Sequence, residues 1–169
     1  YTPGIFKIKM SNYQAGNTCQ VHSTIAKQLA LYVTMYSPLQ MAADLPENYN
    51  QYKDAFQFIK DVAVDWDDTK ILEAEPGDYI TIARKAKGSD NWFIGAITDE
   101  NNRVAEIDLS FLDADRTYTA TIYADGKKAD WLNNPESYSI TSQKVTSGSK
   151  LKIKLADGGG CAISISPIN

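Results

Sequence analysis

Asp65, Asp67 and Asp68 flank Trp66. Oxygen donors set that close together can ligate calcium. The reading preferred for them is a solvated junction with an aspartate capping the next element. Asp44 closes the apolar run Leu39-Gln40-Met41-Ala42-Ala43-Asp44. If that run were a barrel strand, its C-terminal end would open on an active-site mouth. The other reading of Asp44 is a cap or loop hydrogen bond beside the following helix. His22, the only histidine, stands just before a helical pattern with no identifiable catalytic partner, so it reads as a capping or surface residue. Trp92, Trp131, Tyr123 and Tyr138 could stack against sugars, although core packing is the commoner fate of such rings. Gly158-Gly159-Gly160 lacks the Lys-Ser/Thr and the helix of a phosphate loop, and a hairpin turn explains it. Cys19 and Cys161 read as two separate buried thiols, and with a single His they build no zinc site. Gly-x-Ser-x-Gly, His-Glu-x-x-His and Cys-x-x-Cys are all missing.

The elements that would position these residues change character near residue 65. Before it the periodicity is helical. With Ser23 as N-cap, Ile25, Leu29, Tyr32, Val33 and Tyr36 form one apolar stripe, and Pro38 ends the helix. Leu39–Asp44, bounded by Pro38 and Pro46, reads as a buried strand. A second helix is expected over 49–62, with Tyr52, Phe56 and Ile59 on one face. One strand cannot satisfy its own backbone groups, so this segment implies partner strands elsewhere. After residue 65 the residues alternate. Strands are expected at 79–83, 92–97, 104–109, 118–123, 151–155 and 161–165, with weaker ones at 67–74 and 138–145. The turns between them are marked by Pro76-Gly77, Gly88-Ser89, Asn101-Asn102, Asp125-Gly126 and Ser147-Gly148. The fold class is therefore mainly β: an antiparallel β-sandwich at 65–169, preceded at 1–64 by a helix–strand–helix piece.

Composition narrows the function. At 43% hydrophobic the 169-residue chain can bury a core, and wholesale disorder is excluded. A net charge of -4 with no Lys/Arg stripe argues against a nucleic-acid surface. No apolar run approaches the ~20 residues of a membrane helix. The opening Tyr1-Thr2-Pro3-Gly4 has a turn-like composition, with no basic and apolar leader, and reads as part of something longer.

Several stretches resemble glycoside hydrolase family 97, in collinear order over nearly the whole chain. They include Tyr1–Phe6, Ala26–Val33 and, most specifically, Met35-Tyr36-Ser37-Pro38-Leu39-Gln40-Met41-Ala42-Ala43-Asp44-Leu45-Pro46-Glu47-Asn48-Tyr49. Ala55–Val62, Gly77–Arg84, Gly95–Glu100 and Tyr118–Gly126 continue the likeness. The resemblance implies an exo-acting α-glucosidase or α-galactosidase built from an N-terminal β-sandwich, a central (β/α)8 barrel and a C-terminal β domain. Residues 1–64 would be the C-terminal remnant of the catalytic barrel, with Leu39–Asp44 its last strand, and 65–169 the C-terminal sandwich. The family's catalytic carboxylates and calcium-ligand glutamates lie upstream, so no catalytic residue and no metal ligand carries over. The expected partners are the missing upstream barrel and, for the parent, an oligosaccharide. Calcium would belong to the full-length parent, and the implied compartment is the periplasm or cell envelope. Asp44, Pro46 and Glu47 would lie near the barrel mouth. Two other readings stand beside an inactive structural tail. One is a carbohydrate-binding sandwich presenting Trp92, Trp131 or Tyr138. The other is an interaction domain whose stripe of Ile25, Leu29 and Val33 packs on the sandwich or self-associates.

Overall fold

The computed structural model describes residues 2–9 and 20–168. The apolar stripe after residue 23 forms α1, Ile25–Thr34. Its cap is Thr24 rather than the expected Ser23. The Thr24 side chain accepts from Lys27 N–H, while Ser23 Oγ turns back to accept from Gln28 Nε2. The second helix differs more from expectation. Pro46, well suited to a first helical position, starts a separate turn, α2 (Pro46–Tyr49). Tyr52, at φ −130° and ψ 48°, breaks the path before α3 (Lys53–Asp61).

The buried strand expected at Leu39–Asp44 does not form. A strand needs a neighbouring backbone to pair with. Here Ala43 N–H meets the Pro3 carbonyl at 3.0 Å without extending into a ladder. Leu39 is 70% exposed and Met41 55% exposed.

All eight strands expected after residue 65 are present. They are β1 (Trp66–Glu75), β2 (Tyr79–Ala86), β3 (Trp92–Thr98), β4 (Arg103–Asp108), β5 (Tyr118–Asp125), β6 (Tyr138–Val145), β7 (Lys150–Leu155) and β8 (Gly160–Pro167). Six of them make an antiparallel sheet in the order β1-β2-β3-β8-β5-β6, and β4 pairs with β7 in a second sheet. Period-two alternation sends one face of each sheet into a shared core. Ile94 and Ala96 of β3, Ile163 and Ile165 of β8, Ile107 of β4 and Leu151 of β7 meet there. The outer face of β4–β7 is ionic, with Glu106 opposite Lys152 and Asp108 opposite Lys150.

The other face of the large sheet carries the helices. Ile25, Leu29, Val33 and Tyr32 of α1 join Phe6, Phe58, Phe93 and Tyr123 in a second core. The stripe therefore packs on the sandwich, and all of its members except the half-exposed Tyr36 are buried. Two glycines let the helix backbone approach the sheet. A Cβ on Gly95 would stand 2.6 Å from the Ala30 carbonyl, and one on Gly160 would stand 2.8 Å from Lys27 Cα. This second core joins side chains from both sides of residue 65.

Candidate functional site

Residues 3–7 run beside residues 41–44, and four side chains hold the two segments together. The Gln28 carbonyl oxygen, buried on α1, accepts from the backbone N–H groups of Gly4 and Ile5 at 3.0 and 3.2 Å. The Tyr32 hydroxyl lies 3.1 Å from the carbonyls of both Pro3 and Met41. The Tyr49 hydroxyl donates to the Gly4 carbonyl at 2.7 Å and accepts from Asp44 N–H at 3.0 Å. Asp44 completes the set: one carboxylate oxygen accepts from the N–H groups of Phe6 and Lys7 at 2.8 and 2.9 Å. Its other oxygen accepts from Leu45 N–H and from the Asn48 side chain.

These contacts set the electrostatics. Partial burial pushes the Asp44 carboxyl up, but hydrogen bonds from Asn48 and from the Lys7, Phe6 and Leu45 amides outweigh it and hold the group below the usual range. Asp44 is thus an ionised acceptor that fixes backbone, a poor proton donor at neutral pH. Burial pushes the Tyr32 and Tyr49 hydroxyls up, so both remain donors. Pro46 and Glu47 lie exposed on the first turn of α2, which Asp44 precedes by two and three residues. Neither joins the Asp44 network: Asn48 and Tyr49, further along, are the α2 residues that do.

The other candidates separate in space. Asp65 pairs with Lys87 at 2.7 Å, Asp67 accepts from Gly88 N–H at 2.8 Å and Asp68 pairs with Lys70 at 2.8 Å. Among the described residues no group of three His, Cys, Asp or Glu is placed to hold a metal ion. The four aromatics do not form one platform. Trp92 is buried between the sheets against Phe111, and Tyr123 is buried on the opposite face against Phe58. Their strands pack both faces of the sheet, so alternation sends the two rings apart. Tyr138 donates to Asp54 at 2.6 Å, and half-buried Trp131 packs against His22 with ring centroids 4.0 Å apart. Cys161 is a free, buried thiol, while Cys19 lies outside the described residues.

Two residues at the seam had no local signal. Asp125 reads as half of an Asp-Gly turn, yet its carboxylate accepts from the Thr24 hydroxyl at 2.6 Å and from the N–H groups of Ala156 and Gly160 at 2.8 Å. Burial pushes it up to about 6 against those hydrogen bonds. Arg84 of β2 donates through Nε to the Val33 carbonyl at 2.8 Å, in the last turn of α1. An anion therefore sits at the N-terminus of α1 and a cation at its C-terminus, the signs its dipole favours. Gln28 did leave a signal: it is a polar side chain on an otherwise apolar helix face.

Residues 65–166 match the family model described as glycosyl-hydrolase 97 C-terminal, oligomerisation. A retaining alpha-galactosidase of Bacteroides thetaiotaomicron is 38% identical over 98% of this chain, which spans 24% of that protein. A probable retaining alpha-galactosidase of Streptomyces bingchenggensis is 28% identical over 97% of the chain, and 23% of its own length is covered. Among solved structures, a glycoside hydrolase family 97 enzyme from Pseudoalteromonas sp. strain K8, in complex with acarbose, superposes with a TM-score of 0.93 at 47% identity. That match covers 99% of this chain and 26% of the other. The chain thus spans about a quarter of the length of these relatives.

Proposed function

The chain belongs to glycoside hydrolase family 97, as its C-terminal part, and from that premise we propose that it is the non-catalytic tail of an exo-acting α-glycosidase. The complete polypeptide removes terminal α-linked glucose or galactose from an oligosaccharide. The observation that carries this reading is the end-to-end match, over 99% of this chain, to a quarter of an acarbose-bound relative.

In this reading the 169 residues position and assemble. The sandwich holds α1 by its two ends, and α1 with Asp44 holds the segments 3–7 and 41–44 in fixed register. The exposed apolar residues Met35, Tyr36, Leu39, Met41 and Leu45 are the surface on which the upstream part of the enzyme packs. Asp44, Pro46 and Glu47 border the mouth of its catalytic barrel, with Asp44 fixing main chain. The sandwich also joins copies of the enzyme into an oligomer, the role in the family description. Calcium, implied by the family likeness, belongs in this reading to the upstream part. The compartment is the periplasm or cell envelope.

The complete polypeptide is expected to hydrolyse p-nitrophenyl α-galactoside or α-glucoside, and to elute as an oligomer by light scattering. An enzyme inert on both substrates contradicts the activity, and a strict monomer contradicts the assembly. Osmotic-shock fractionation of the source cells tests the compartment.

A further inference from the structure

The sandwich has four free strand edges, those of β1 and β6 in the large sheet and of β4 and β7 in the small one. Three are guarded. β1 carries register shifts at Trp66/Asp68 and Ile71/Glu73, and such bulges blunt an edge against pairing. β4 and β7 are six residues long and charged. β4 exposes Glu106 and Asp108, and β7 exposes Lys150, Lys152 and Lys154. Charges on a short edge strand, lysine above all, discourage a second strand. β6 has none of these devices. It pairs with β5 in unbroken register from Tyr138 to Val145. It holds no proline, and Lys144 is its one charge. Ser139, Thr141, Ser142, Gln143 and Lys144 are all exposed.

The ladder tells which main-chain groups of β6 are free. Just before the strand, Gly126 N–H bonds to the Ser137 carbonyl, a pair that continues the β5–β6 register. In an antiparallel ladder, bonded pairs alternate with unbonded ones. Ser139, Thr141 and Gln143 therefore bond to β5, and the N–H and C=O groups of Tyr138, Ile140, Ser142 and Lys144 point outward. Among the described residues nothing bonds to these outward groups.

We infer that β6 is the surface through which the sandwich joins a second copy of itself, strand to strand and antiparallel. The inference rests on the assembling role proposed for the sandwich and deepens it, since the family description names oligomerisation without a surface. A two-fold contact of this kind uses the same strand on both copies. The outward groups set its register. All of them find partners only when Thr141 lies on the two-fold axis. Ile140 then faces the second copy's Ser142, and Tyr138 faces its Lys144. Threonine meets threonine, a favourable cross-strand pair, and Lys144 does not meet itself. The upstream part of the enzyme is the poorer occupant. The exposed apolar residues that suit its packing, such as Met35, Leu39 and Leu45, lie in the helical segment.

Light scattering, crosslinking and amide exchange on the complete polypeptide test this. Ser142→Pro removes an outward N–H and leaves the β5 ladder bonded, because an edge strand tolerates proline on its free side. It should halve the mass of the oligomer. Thr141→Cys should give a disulfide-linked pair on mild oxidation, since unbonded partners lie about 4.5 Å apart, a span a disulfide bridges. Lys144→Cys should not. Peptide-resolved mass spectrometry keeps Cys19 and Cys161 apart from the new link. In the unmodified protein the amides of Ile140, Ser142 and Lys144 should exchange at least about ten-fold more slowly in the oligomer and lose that protection on dilution. An oligomer that survives Ser142→Pro and forms no link at position 141 overturns the proposal and leaves the assembly reading standing. Protection that persists at every dilution also overturns it, by showing that the upstream part covers β6. A complete polypeptide that is monomeric throughout overturns the assembly reading and this surface with it.

Discussion

Half-buried Asp125 ties the sheet to α1, and buried Gln28 ties α1 to Gly4 and Ile5; each makes a prediction of its own. Asp125 titrates near 6 in the folded protein, against about 3.9 unfolded. A carboxyl raised by folding binds its proton earlier in the folded state. Its contribution to stability is full below about pH 4 and fades as pH rises through about 6. The gap of about 2 units corresponds to about 3 kcal/mol. Thermal unfolding of the wild type and Asp125→Asn should therefore diverge on acidification from about pH 7 to about pH 4, with the wild type gaining. A gap independent of pH would sink the assignment. Gln28→Leu leaves the Gly4 and Ile5 N–H groups without their acceptor, at about 1–3 kcal/mol for each buried donor. Urea unfolding should show a loss of that order, and a neutral change would deny the network its role. These partners lie up to 101 residues apart, so local pattern could place Gln28 on a helix and Asp125 in a turn, but could pair neither.

At the scale of elements, periodicity was a good guide wherever the pattern extended over a whole segment. The stripe Ile25-Leu29-Val33 reappears as a buried face. Alternation reappears in β4, β5 and β7, whereas β3 and β8 are buried on both faces and β1 has no buried residue. It failed at Leu39–Asp44, because strand formation depends on a pairing neighbour that composition does not reveal. It also missed α2 and began the second helix at Tyr49, four residues before α3, since the backbone break at Tyr52 has no marker of its own. Where α1 seats on the sheet was invisible as well, because Gly95 reads only as a small residue inside a strand. Gly95→Ala must push the Ala30 carbonyl away from 2.6 Å, a cost of about 1–3 kcal/mol for overpacking. Gly148→Ala is the control, since its Cβ would meet nothing nearer than Thr146 Oγ1 at 3.9 Å. Differential scanning calorimetry should lower the melting temperature for the first and not for the second. Equal melting temperatures would mean that α1 does not rest on β3 as described.

On the scale of the whole molecule, two cores share one sheet. One lies between the sheets, and the other binds α1, α3 and residues 6–8 to the opposite face. Polar groups inside this second core fix backbone, and the acidic residues near Trp66 and at Asp44 are each engaged by lysines, amides or Asn48. That arrangement suits a part that positions and assembles, the role proposed above. The family was legible only as a likeness centred on Met35–Tyr49. The most direct test is the purified 169-residue chain assayed alone on p-nitrophenyl α-galactoside and α-glucoside, beside the complete polypeptide. No turnover above buffer is expected from the chain. Turnover by the chain that disappears in Asp44→Ala would contradict the account.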